Sequence, residues 1–344
     1  MSLLDTKIRR VKAQRSCINH AVALTRSMSG PILELGLGNG RTYDHLRKLL
    51  TSHSLEREIF VFEREVAAHP DCIPDNDHLF LGGFDETLDV ARVRLGPIAV
   101  LAHADFGSVD KKADAASSCL LARALPGLLA PGAIVASDQD IPFAEAERLP
   151  LPPDVESGRY FLWQLPQAMQ IETPADTAVV PETSRVDSFI RRMEAQRSCL
   201  NLAAEFVDSL DGPILELGLG NARTYDHLRG LFPGREFFVF DQRLRPLPSG
   251  VLDRKHLILG DIRDTLPAAV RRFGHRVILV HSDMGSGQKG PNTRLAAFIA
   301  SQLPNLMQPC GLVVADQNVM FEHSTRMPLP DDVEPGRYFM YRAG

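Results

Sequence analysis

The sequence predicts an α/β protein made of two tandem copies of one domain, each a mostly parallel sheet with helices on both faces. Three observations predict it. The chain repeats itself almost end to end, short β-rich runs alternate with helical patterns inside each copy, and a glycine-rich loop follows the first run of each copy.

The repeat sets the domain organisation. "LELGLGNGRTYDHLR" at Leu33–Arg47 returns as "LELGLGNARTYDHLR" at Leu215–Arg229, and segment 30–50 matches 212–232 at all but three positions. Further on, "HLFLGGFDETL" (78–88) matches "HLILGDIRDTL" (256–266), "LAHAD" (101–105) matches "LVHSD" (279–283), and "LPLPPDVESGRYF" (149–161) matches "MPLPDDVEPGRYF" (327–339). A period this long exceeds any solenoid repeat, so a whole domain is duplicated. The expected boundaries are 1–163 for the first copy, 186–344 for the second, and 164–185 for a linker rich in Pro and Thr without helical periodicity.

The elements follow in order. Strands are expected at 31–35, 58–62, 79–81, 98–102, 133–137 and 159–163, with counterparts in the second half, and amphipathic stretches such as "TYDHLRKLL" lie between them. In "RTYDHL", Tyr43 and Leu46 are expected to pack on the sheet. Only one strand is expected after the fifth, which leaves each copy a rather open site, or one completed by its neighbour. In sheets of this kind ligands bind beyond the carboxyl ends of the strands, and the glycine loop sits at that edge.

Composition removes several classes. A net charge of −5 argues against a surface built for nucleic acid, and no stretch reaches the ~18 apolar residues of a membrane span. The N-terminus does not read as a signal peptide. Five cysteines without CxxC spacing fit reduced thiols in a cytoplasmic protein better than disulfides or a zinc site, with Cys17 and Cys199 as small core residues of a first helix.

The loop itself excludes one ligand class. A dinucleotide site needs G-x-G-x-x-G, and Arg41 and Arg223 occupy the third glycine position, so a nicotinamide dehydrogenase is a distant reading. The spacing is instead Glu-x-Gly-x-Gly-x-Gly, with Glu34 two residues before Gly36. "ILELGLGNG" resembles motif I of the class I S-adenosylmethionine-dependent methyltransferases, and both copies resemble a small single-domain bacterial family of such enzymes. That resemblance implies two Rossmann-like methyltransferase domains with S-adenosyl-L-methionine as cofactor. It implies that Glu34, Gly36, Gly38 and Gly40 line the methionine and ribose part of the cofactor, as do Glu216, Gly218, Gly220 and Ala222. It places Glu63 and Asp241, ending the second strand, on the ribose hydroxyls, since a carboxylate accepts two hydrogen bonds from a diol. Asp261 matches the position that accepts from the adenine amino group, and its counterpart is Gly83. On that exchange the second copy is expected to be the better cofactor site, with Ala222 for Gly40 a milder change that adds one methyl and tolerates helical backbone angles.

Residues ending strands four and five face the transferred methyl in such a fold. Here they are His103 and Asp105 with Asp138 and Gln139, and His281 and Asp283 with Asp316 and Gln317. An imidazole or a carboxylate suits a general base for a hydroxyl or amine. The alternatives are core histidines, the commoner fate on a buried strand, and aspartates that cap a loop or meet the cofactor amine. Arg41 is the loop residue to watch for ligand contact. Arg15 and Arg197 lie in the leading helices within reach of a methionine carboxylate, with plain surface charge the commoner role. "ADQN" at 315–318 also resembles the magnesium site of catechol-type O-methyltransferases, without that family's lysine spacing or Asp-Asn pair.

The leading function is methyl transfer to a small-molecule acceptor, with no nucleic-acid or membrane partner and the two copies paired as an intramolecular pseudo-dimer. The competing readings are one live and one degenerate half, or a non-catalytic cofactor-binding scaffold.

Overall fold

The structure is a computed structural model that describes residues 1–108, 110–167, 184–243, 254–285 and 288–344. Most of the expected linker, residues 168–183, lies outside the described residues. The chain forms two compact units, one of Arg9–Ile190 and one of Met1–Ile8 with Arg191–Gly344.

In the first unit the strands are β1 (Ile32–Leu35), β2 (Ile59–Glu63), β3 (Leu79–Leu81), β4 (Ala99–Ala104), β5 (Leu129–Ser137), β6 (Glu147–Arg148) and β7 (Phe161–Gln164). They form one sheet in the order β3-β2-β1-β4-β5-β7-β6. The first five run parallel, while β7 is antiparallel to β5 and to β6. Its helices are α1 (Leu3–Leu24, in this unit from Arg9 onward), α2 (Arg41–Ser52), α3 (Phe84–Leu95) and α4 (Lys111–Ala124).

The two-residue period of a strand divides its side chains between two cores. Ile32, Val61 and Leu101 pack with Cys17, Ile18 and Leu46 of α1 and α2. Leu33, Leu35 and Phe62 pack with Leu88 of α3 and Leu121 of α4. Helices therefore cover both faces, which is why β1 is buried at all four positions. In α2 the buried residues are Thr42, His45, Leu46, Leu49 and Leu50, a helical stripe.

The second unit repeats this plan with β8 (Ile214–Leu217), β9 (Phe237–Asp241), β10 (Leu257–Leu259), β11 (Val277–Ser282), β12 (Met307–Ala315), β13 (Ser324–Arg326) and β14 (Phe339–Ala343). Their order is β10-β9-β8-β11-β12-β14-β13. Its helices are α5 (Arg185–Val207), α6 (Arg223–Leu231), α7 (Ile262–Phe273) and α8 (Lys289–Gln302).

Two strands, not the expected one, follow the fifth in each copy. The missed ones are β6 and β13, two and three residues long, which lack an apolar run. Cation–π contacts supply what burial does not: the Arg148 guanidinium lies 4.6 Å from the Phe161 ring centroid and 5.2 Å from that of Trp163 on β7. Arg326 lies 5.5 Å from the Phe339 ring centroid in the same way.

The Gly40/Ala222 exchange is not the mild one expected. Both residues hold the N-cap of the helix after the loop in the left-handed region, at φ 74° and φ 56°. A non-glycine residue there costs about 1–2 kcal/mol. In the first copy a Cβ at Gly40 would also be driven into Cys72. Gly40→Ala is thus expected to destabilise the first unit by about 2–3 kcal/mol, strain and overpacking together. A urea melt showing less than about 1 kcal/mol would refute that.

Cys17 and Cys199 are fully buried in the leading helices, and burial pushes both thiols up to about 12, so they are inert core residues. All five cysteines are free. Among the described residues no helix is long and apolar enough to cross a membrane.

Candidate active site

At the carboxyl edge of β1 the chain turns through Gly36 (φ 97°) and Gly38 (φ 49°) before α2 begins. A Cβ on Gly36 would lie 2.6 Å from the Asp105 carbonyl oxygen, so the β1 and β4 ends can meet only with glycine there. Glu63, at the end of β2, reaches into this loop and accepts the Gly38 N–H at 2.8 Å, while its other oxygen accepts the Arg64 N–H at 2.7 Å. In the second copy Asp241 accepts the Leu219 and Gly220 N–H groups at 3.0 and 3.1 Å. These bonds hold each carboxylate at the loop and leave lone pairs for a ligand hydroxyl.

Beside this loop, in the first copy, lies a cavity of about 440 Å³ lined by Gly36, Gly38, Glu63, Gly83, Phe84 and Asp105, among others. The end of β4 reaches it through Asp105 and Phe106. Asp105 accepts from Arg10 Nη2 at 2.6 Å and from Gln14 Nε2 at 2.7 Å, both on α1. The same Arg10 nitrogen donates to Asp138 at 2.9 Å. Asp138 lies against Gly107, where any Cβ would strike it, and accepts the Phe106 and Gly107 N–H groups at 3.2 and 3.3 Å. Gln139 donates to the same carboxylate at 3.1 Å. The second copy keeps this plan: Arg192 pairs with Asp283, Gln196 donates to Asp283 at 2.6 Å, and Gly285 N–H donates to Asp316 at 3.0 Å. Asp316 Oδ1 is buried there without a hydrogen-bond partner among the described residues.

Burial and the neighbouring Asp105 charge push Asp138 up to about 6, against the pull of Arg10 and the Gln139 hydrogen bond. Burial and Asp283 push Asp316 upward as well. Both are carboxylates biased toward taking a proton.

His103 and His281 lie in the core on β4 and β11, the fate weighed against a general base. Each is fully buried, with Nδ1 2.7 Å from a carboxylate oxygen, Glu34 for His103 and Glu216 for His281. Nε2 lies 2.5 Å from the Tyr160 hydroxyl in the first copy and 2.6 Å from that of Tyr338 in the second. Thr42 and Thr224 donate to the remaining oxygens of Glu34 and Glu216. In each copy this makes a buried Thr–Glu–His–Tyr chain whose histidine has no solvent exposure and a partner on both ring nitrogens. Of the first-copy loop residues, Gly36 and Gly38 line the cavity, while Glu34 and Gly40 are buried, as are Glu216 and Ala222 in the second copy.

The expected arginine contacts are also reassigned. Arg15 pairs with Asp187 at 2.6 Å and Arg197 with Asp5 at 3.4 Å, each inside its own unit. Arg41 stacks 3.8 Å from the Phe189 ring centroid. Leu46 is buried as expected, and Tyr43, partly covered, packs against the same core. Among the described residues no three His, Cys, Asp or Glu converge to hold a metal ion. Where the magnesium arrangement was considered, Arg192 pairs with Asp283, while Gln317 donates to Asp316 at 3.2 Å.

The sequence reading missed Arg10, Gln14, Gly107 and Tyr160. The signal was present: "RRVKAQRSC" and "RRMEAQRSC" share Arg and Gln four residues apart, on one helix face, and "GRYF" occurs in both copies.

A mostly parallel sheet with a glycine turn, an acid at the second strand end and a cavity beside them defines an α/β enzyme that binds a nucleoside-bearing cofactor. The sequence model of the S-adenosyl-L-methionine methyltransferase family matches residues 1–165 and 183–343, and the chain belongs to that family, once in each half. Its cofactor is S-adenosyl-L-methionine. Among solved structures, an S-adenosyl-L-methionine methyl transferase from Silicibacter pomeroyi DSS-3 is 44% identical, covers 47% of this chain and 98% of its own, and has a TM-score of 0.44. MnmC2 from Aquifex aeolicus is 18% identical over 44% of this chain and 60% of its own, at a TM-score of 0.31. A Haemonchus contortus phosphoethanolamine N-methyltransferase is 11% identical over 89% of this chain and 74% of its own, at 0.26. No curated protein matches the sequence.

Proposed function

We propose that this cytoplasmic methyltransferase passes the methyl group of S-adenosyl-L-methionine to a small-molecule hydroxyl or amine at the carboxyl edge of each sheet. The cavity that joins the glycine loop and Glu63 to Asp105 carries this reading. The cofactor, when bound, supplies a methyl group already activated by its sulfonium. The chain then has three tasks: to hold the cofactor, to orient the acceptor and to take its proton.

The loop glycines let the backbone approach the cofactor, and Glu63 and Asp241 accept from its ribose hydroxyls. Asp105 and Asp283 stand at the cationic methionine end, oriented by Arg10 with Gln14 and by Arg192 with Gln196. Asp138 and Asp316 are the proton acceptors. Asp261, whose side chain caps α7, retains acceptor capacity for the adenine amino group.

Calorimetric titration of the whole chain with S-adenosylhomocysteine tests cofactor binding, and mass spectrometry of a metabolite extract incubated with enzyme and labelled cofactor tests transfer. Binding without any labelled product would favour the scaffold reading, and a single binding site the reading with one degenerate half. Glu63→Ala is expected to weaken the first-copy site about tenfold, the usual cost of losing a charge-assisted hydrogen bond; an unchanged isotherm would remove Glu63 from the site. We propose further, on the duplication alone, that the copies pair within one chain, which cross-linking mass spectrometry checks.

A further inference from the structure

The copies differ most sharply where the third strand ends. In the second, Asp261 is the N-cap of α7, and its carboxylate accepts the Arg263 N–H at 2.8 Å. In the first, Gly83 holds the N-cap of α3 with nearly the same extended backbone, φ −68° and ψ 154° against φ −62° and ψ 134°. The turn is conserved between copies and only the side chain is gone.

Its space is filled from another residue. A Cβ built on Gly83 would collide with Asp85 Oδ1, because the Asp85 side chain folds back from the first turn of α3 against the glycine. Asp85 aligns with Arg263 of the second copy, so "GGFD" and "GDIR" each carry one acid, placed two residues apart. Among the described residues Asp85 makes no hydrogen bond or ion pair, so its acceptors are free. It is exposed, at the rim of the cavity that its neighbours Gly83 and Phe84 line.

The wall changes with it. Phe84 and Phe106 both line the first-copy cavity, edge to face with centroids 6.3 Å apart, where the second copy has Ile262 and Met284. Aromatic rings offer a purine a better contact than aliphatic side chains do.

Resting on the reading of this cavity as the cofactor site, we propose that Asp85 accepts the adenine amino group in the first copy, with Phe84 and Phe106 against the purine. Glycine at position 83 is then what admits the Asp85 carboxylate, not the mark of a lost site. Both copies hold cofactor, through differently built adenine ends.

The test uses the whole chain and two probes, S-adenosylhomocysteine and S-inosylhomocysteine, whose ring carries a carbonyl oxygen in place of the amine. Asp241→Ala with Asp261→Ala weakens the second site, so the remaining isotherm reports the first. In that background S-adenosylhomocysteine is expected to bind at least about tenfold tighter than the inosine probe. Adding Asp85→Ala should reduce that preference to about twofold or less, while Asp85→Asn, which keeps an acceptor oxygen, should restore part of it. A preference that survives Asp85→Ala would overturn the assignment, as would a background variant that binds neither probe while its wild-type parent binds at one site. No binding of S-adenosylhomocysteine to the unmodified chain would instead overturn the cofactor-site reading beneath it.

Discussion

His103→Leu is expected to destabilise the first unit by about 3–5 kcal/mol, the cost of leaving a buried carboxylate without its partner. Glu34 and His103 are both fully buried, and Thr42 and Tyr160 complete their hydrogen bonds. Leucine fills the volume but leaves one Glu34 oxygen without a donor. Trp163, the single tryptophan, is buried on β7 of this unit, so its fluorescence during a urea titration follows the first unit. Glu34→Gln combined with His103→Leu should recover a large part of the loss, because the charge goes with its partner. A midpoint within about 1 kcal/mol of wild type would show that the chain contributes little.

The same chain gives stability a pH dependence. Burial draws the His103 pKa down, but the Glu34 charge and hydrogen bond draw it further up, aided by Asp105 and Asp138. With the folded value above the unfolded one, the contribution is complete below about pH 6.5 and fades as pH rises through the folded value. His45 acts in the opposite sense: burial, only partly offset by Asp187, lowers it to about 4, so its contribution fades as pH falls from about 6.5 toward 4.

What the sequence disclosed and what it hid divide by range. The parallel core strands and the glycine loop are local patterns, each legible from residues within one segment, and the repeat is legible by laying the chain on itself. Glu147–Arg148 was not, because a two-residue exposed strand exists only through its pairing with Phe161–Gln164 and the rings of that strand. The left-handed backbone at Ala222 leaves no trace in composition, so the exchange looked like one added methyl. His103 showed itself as a histidine at a strand end, but its burial depends on Tyr160, far along the chain in a motif with no chemistry of its own to announce. Arg10 and Gln14 were visible only as an identity between copies, since charge on a helix is ordinarily a solvated face.

The last expected result concerns the proton. Asp138→Asn together with Asp316→Asn should reduce methyl transfer about 10²–10⁴-fold, the usual contribution of a positioned general base. Two aspartates end neighbouring strands and share one arginine, and Asp138, at 3% side-chain exposure against 27% for Asp105, resists ionisation. Burial and Asp105 set its value at about 6, with Arg10 and Gln139 opposing. Such a group is ionised at neutral pH yet basic enough to take a proton as the acceptor attacks, which an ordinary aspartate near 4 does less well. Turnover should therefore rise with pH through a limb near 6 and lose that limb in the double variant. Asparagine keeps the shape that lies on Gly107 and Gly285, so S-adenosylhomocysteine affinity should stay within about threefold of wild type. Because each copy supplies one such carboxylate, the two must be changed together. A double variant that retains more than a tenth of wild-type turnover, with its pH limb intact, assigns the proton to another group.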